Sequence, residues 1–153
     1  MTGATTRWLA CSAIVCLVGS AGVLHAQLEI GNWVRTDTGA GGMTLTIQAC
    51  CNGGRRLTYH IPVKGQPNME MTVDTSLDGK DAPLLVGGKP SGQTMAITRV
   101  DAFHATSVQK MNGKPMSTSK ATLSADGKTL TVEDEIGEPG GKTGKIVETW
   151  VKK

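Results

Sequence analysis

The chain has 153 residues, with 16 basic side chains against 13 acidic ones. That near balance argues against nucleic-acid binding, which wants basic residues clustered on one face. The length suits one domain with one core, and the 20 glycines are spaced between apolar runs rather than massed in a linker or low-complexity tail.

Residues 1–26 differ from the rest. Arg7 is their only charge, a nearly unbroken apolar and small run extends from Trp8 to Leu24, and His25-Ala26 offers a small residue at a cut. This is the pattern of an export leader. The run falls short of the roughly 20 apolar residues that span a membrane, and no second run follows. The sequence therefore predicts a signal peptide over 1–26, a secreted or periplasmic mature domain over 27–153, and no stable membrane insertion after cleavage. Cleavage before Cys11 or Cys16, as in a lipoprotein, fits less well: Val15 is bulky where a small residue is wanted, and the apolar core ahead of Cys11 is too short.

From residue 31 onward the apolar positions recur with period two, which sends alternate side chains to opposite faces of a strand. Met43, Leu45 and Ile47 alternate with Thr44, Thr46 and Gln48; Leu57, Tyr59 and Ile61 alternate with Arg56, Thr58 and His60. Met69, Met71 and Val73 do the same against Glu70, Thr72 and Asp74, as do Leu130, Val132 and Ile136 against Thr129, Thr131, Glu133 and Glu135. Further strands are predicted at 31–36, 93–100, 103–111, 115–124 and 144–151.

Between these runs, Asp78-Gly79, Asn112-Gly113 and Asp126-Gly127 suit the positive backbone angles of tight hairpins, so consecutive strands are expected to pair antiparallel. The phrase Ser-x-Asp-Gly-Lys occurs at 76–80 and again at 124–128, the same turn chemistry used twice. No window carries a helical apolar stripe. About nine strands in one continuous chain must hide their edges, so the expected fold is all-β, a single antiparallel barrel of roughly 8 to 10 strands, with a β-sandwich as the alternative.

Candidate chemistry is sparse. In QACCNGG at 48–54, alternation puts Cys51 on the inner face with Ile47 and Ala49 and turns Cys50 outward. Adjacent α-carbons lie about 3.8 Å apart, closer than the roughly 4.4 Å a disulfide prefers, so two free or externally capped thiols are the expected state. A bond between Cys50 and Cys51, or to a second chain, is the alternative.

The thiols with His60 and His104 lack the paired spacing of zinc ligands, and no metal or other cofactor is expected. Asp74, Ser76, Asp78 and Gly79 open like a calcium loop, but its closing acid is replaced by Leu85. GEPGGKT at 137–143 has one residue too few for a phosphate-binding loop and links two strands rather than a strand and a helix. Glu133, Asp134 and Glu135 split between the faces of their strand, and Asp134 falls on the side of Val132. An inward carboxylate needs a partner, so an outward twist or a basic residue from the next strand is expected there.

Gly31-Asn32-Trp33 resembles the Gly-x-Trp signature of lipocalins. The ordered series GNW, LTY, LDGKDAPLLV, GKPSGQTMAITRVDA, MNGKP, LSADGKTLTV and ETWVKK is similar to small secreted bacterial proteins described as lipocalin-like or hypothetical, over most of residues 30–152. The resemblance implies an antiparallel barrel closed at one end by Trp33, with Gly31 ahead of it, and a secreted location; it implies no particular activity. The last strand, KIVETWVKK, has lysines where lipocalins place an arginine against the tryptophan.

Three functions follow in order. The first is a binding module whose inward set, Met43, Leu45, Leu57, Tyr59, Met69 and Met71, holds a small hydrophobic ligand, because methionine suits adaptable pockets. The second is a non-enzymatic periplasmic or extracellular interaction or structural module with a filled core. An enzyme comes last: there is no GxSxG elbow and no convergent polar set, so no catalytic residue is assigned.

Overall fold

The computed structural model describes residues 30–39, 41–137 and 143–153; the leader expected over 1–26 lies outside them. Ten strands account for most of the described chain: β1 (Gly31–Arg35), β2 (Thr44–Cys50), β3 (Gly54–Ile61), β4 (Met69–Thr75), β5 (Asp78–Val86), β6 (Lys89–Arg99), β7 (His104–Met111), β8 (Lys114–Leu123), β9 (Thr129–Gly137) and β10 (Thr143–Lys152). Each pairs antiparallel with the next, and β1 also pairs with β10, closing the sheet into one barrel rather than two stacked sheets.

Alternation sets what faces inward. On β2 and β3, Leu45 lies opposite Tyr59 and Ile47 opposite Leu57, and on β4 Val73 lies opposite Leu57 and Met71 opposite Tyr59. The intervening Thr46, Arg56, Thr58, Glu70 and Asp74 line the outside. At one end Trp33 and Trp150, each 1% exposed, pack with Leu45, Ile47, Leu123 and Leu130. Two smaller clusters, Val73 with Ala82 and Leu84, and Leu77 with Ile97 and Ala105, continue this packing around the wall. Trp33 thus belongs to the largest of these core clusters, and the Lys152 ammonium sits 5.8 Å from the centre of its ring, where a cation is attracted to the π face.

The strand expectations need two corrections. β5 was not predicted. Its sequence, DGKDAPLLV, contains Gly79, Asp81 and Pro83, all depleted in strands, and its pairing with β6 slips between Asp78 and Asp81 and again between Pro83 and Leu85, which destroys the period-two signal. Asp78-Gly79 is accordingly no hairpin turn. It lies inside β5 with Gly79 at φ +79°, and the chain reverses just before it, at Ser76 and at Leu77 with φ +60°.

The other turns behave as read. Asn112 and Gly113 take φ +49° and +79° between β7 and β8, the two positive angles of a type I′ hairpin. The repeated Ser-x-Asp-Gly-Lys phrase shares one contact, Asp78 Oδ1 accepting from the Lys80 N–H at 3.2 Å and Asp126 Oδ1 from the Lys128 N–H at 3.1 Å, but it is not the same turn twice, since Asp78–Lys80 lies in β5 and 124–128 joins β8 to β9.

Candidate functional site

The barrel encloses a cavity of about 240 Å³. Its apolar wall comes from β2, β3, β4 and β6, with Met43, Leu45, Leu57, Tyr59, Met71 and Met95. Five of the six residues expected to contact a ligand are therefore brought together. Met69 is the exception: it lies opposite Ile61 at the end of β4, is 37% exposed and does not line the cavity. Period two expects it inside, but as the first residue of β4 its side chain is exposed.

The opposite wall mixes Ala105, Ala121, Leu130, Val132 and Trp150 with polar side chains that were not foreseen as part of the site. β7 and β8 contribute Ser107, Gln109 and Ser119, and β9 and β10 contribute Asp134 and Glu148. Alternation gives each of these the inward side: Ser119 lies opposite Asp134, and Glu148 opposite Val132. Asp134 neither twists outward nor meets a basic residue. Its neighbour on β10 is Ile146, and its carboxylate makes no ion pair or side-chain hydrogen bond among the described residues.

Glu148 is held differently. Arg35 Nη1 forms an ion pair with Glu148 Oε1 at 2.7 Å, and the Trp150 Nε1–H donates to Glu148 Oε2 at 3.1 Å. The same guanidinium donates from Nε and Nη2 to both oxygens of Asp37, at 2.7 and 2.9 Å. Arg35 is thus shared between two carboxylates at the β1–β10 seam, where bidentate geometry is strong and directional.

The two acids respond in opposite senses. The Arg35 hydrogen bonds hold Asp37 well below the usual carboxylate range. Burial pushes Glu148 up, with the Asp134 charge adding to the rise and Arg35 opposing it. Tyr59 makes a T-shaped contact with Trp150 at 6.1 Å; burial raises its phenol, and the charges of Glu148 and Asp134 raise it further.

Cys50 and Cys51 are joined in a disulfide, which replaces the free thiols expected from their spacing. The expected orientation also fails, since Ala49 and Cys51 are exposed and Cys50 is half-buried. Strand alternation stops at Cys50. Cys51 and Asn52 enter a short 3-10 turn, Cys51–Gly53, with φ +52° each, so the two side chains no longer point to opposite faces. The sulfurs and an Asp74 oxygen lie within 4.8 Å of one another. The disulfide withholds the thiolates a metal would take, and Asp74 is gripped by Arg56 through two bonds of 2.7 and 2.6 Å. Asp78 is likewise occupied by Lys80 at 2.7 Å, so the acids of the calcium-like stretch are turned to cations of the chain itself. His60 stands 3.7 Å from Glu70 on the outer face, and His104 Nδ1 lies 2.8 Å from Asp101.

Comparison with known proteins finds no matching family model, curated protein or solved structure.

Proposed function

We propose that this protein is an exported small-molecule carrier whose barrel holds a compact, largely apolar ligand. The observation that carries this reading is the cavity of about 240 Å³ walled by Met43, Leu45, Leu57, Tyr59 and Met71. It is slightly smaller than the roughly 300–1,000 Å³ of ordinary ligand pockets, so the occupant is compact. Space of this size bounded by methionine and aromatic side chains favours binding over a filled scaffold, because a core packed for stability alone leaves few voids larger than a water.

The lipocalin-like resemblance and the leader at 1–26 support a secreted carrier. The Cys50–Cys51 disulfide agrees with an oxidising compartment. Polar side chains on the outer face, Thr46, Arg56, Thr58 and Glu70 among them, agree with a barrel bathed in water, since a bilayer-spanning barrel carries an apolar outer band.

The test is uptake of the neutral dye N-phenylnaphthylamine by the mature chain, followed by its fluorescence and displaced with octanol. Saturable, displaceable uptake is expected. Ala121 also lines the cavity, and Ala121→Leu should weaken uptake by about tenfold or more by occupying the space, while circular dichroism verifies the β fold. Absence of displaceable uptake by the folded wild type would sink the proposal.

A further inference from the structure

The cavity is lopsided in its chemistry. The lining from β2, β3, β4 and β6 is apolar but for the Tyr59 hydroxyl, whereas β7 to β10 set Ser107, Gln109, Ser119 and the carboxylates of Asp134 and Glu148 among Ala121, Leu130, Val132 and Trp150. A ligand that was apolar throughout would cover those carboxylates without giving them a donor, and a buried polar group without a partner is costly.

The two acids differ in what the protein gives them. Glu148 is paired with Arg35 and accepts a hydrogen bond from the Trp150 indole. Arg35 is also committed to Asp37 by two hydrogen bonds, so its single positive charge already serves two carboxylates. Asp134 has no hydrogen bond or ion pair among the described residues. The lysines near its strand do not reach it from within: Lys145 pairs with Glu135 at 3.2 Å, and both alternate to the outer face. The Asp134 charge is felt by Glu148 on the neighbouring strand, by Tyr59 and by Arg35, but the ion pairs of Arg35 go to Glu148 and Asp37. One cation short, the polar wall is complementary to a ligand that brings its own.

We infer that the occupant is an amphipathic amine, its hydrocarbon part against Met43, Leu57 and Met71 and its ammonium against Asp134, within reach of the Ser107, Gln109 and Ser119 side chains. This rests on the carrier reading and names the ligand class for the same cavity. An ammonium offers three donors and no acceptor, which suits a wall of carboxylate, hydroxyl and amide oxygens. A fatty acid would instead set a carboxylate beside Asp134 and Glu148.

The experiment compares octylamine, octanol and octanoate, which share a chain and differ in head-group charge, as displacers of N-phenylnaphthylamine from the mature protein. Octylamine should bind about tenfold or more tightly than octanol, as expected for a hydrogen bond to a charged group, and octanoate should bind weakest. In Asp134→Asn, which keeps the volume and removes the charge, the octylamine-to-octanol affinity ratio should fall to near unity. Asp134→Ser provides the same comparison should the asparagine variant fold poorly. Octanol binding as tightly as octylamine, or an amine preference that survives both substitutions, overturns the inference while leaving the carrier intact. Failure of all three probes to displace dye from folded wild type removes both.

Discussion

Arg35, Glu148 and Asp134 together show how single residues acquire meaning from a closed barrel. Arg35 is drawn between Asp37 and Glu148, and the two acids impose opposite dependences on pH. Asp37, whose folded value is depressed, contributes stability that is present above the ordinary carboxylate range and is lost as pH falls through its folded value. Glu148, whose folded value is raised by burial, favours the fold fully below that range and gives up this contribution as pH rises through its folded value. Glu148→Gln removes the second effect. In urea unfolding, the stability of this variant relative to wild type should therefore improve as pH rises from about 4 to 7; a difference that is flat with pH contradicts the assignment. At this scale the chain was partly legible. The inward side of Asp134 was legible from Val132 two residues away. Its want of a cation was not, because that depends on which residue of β10 lies opposite.

At the scale of elements, legibility followed regularity. β2, β3, β4 and β9 could be read from alternation because one face of each is buried. β5 could not, since Gly79, Asp81 and Pro83 interrupt a strand that the β6 pairing holds in place regardless. Propensity is a weak preference that tertiary pairing overrides. The hairpins divide similarly. Asn112-Gly113 was recognisable because its two positive angles are an intrinsic demand of the turn, whereas Asp78-Gly79 satisfies a bulge instead. Gly113→Ala should cost about 1 kcal/mol by placing a Cβ at φ +79°, measured by chemical denaturation. No loss on that substitution would contradict the backbone described for the β7–β8 turn. Gly54 is demanding for another reason: a Cβ there would collide with the Thr75 carbonyl oxygen on the neighbouring strand.

The whole molecule is decided at its seam. β1 and β10, more than 100 residues apart in sequence, pair through Val34 with Val151 and Arg35 with Trp150. Backbone bonds from Thr36 N–H to the Thr149 carbonyl at 2.8 Å and from Lys153 N–H to the Asn32 carbonyl at 2.9 Å extend the closure. Trp150 concentrates these roles, since it is 1% exposed, meets the Tyr59 ring and donates to Glu148. Trp150→Ala should destabilise the fold by about 3–5 kcal/mol, read as a shift of the denaturation midpoint; a loss under about 1 kcal/mol would show that the seam does not depend on it. That the domain is all-β, with strands that bury one face, was legible in the chain because alternation is a local property carried by each strand alone. Pairing of the strands with one another settles that ten of them close into one barrel, that its interior retains a cavity, and that two carboxylates stand there among apolar side chains. The reason is geometric: strand number and stagger fix the barrel's width, and whether the inward side chains fill that width depends on all ten strands at once.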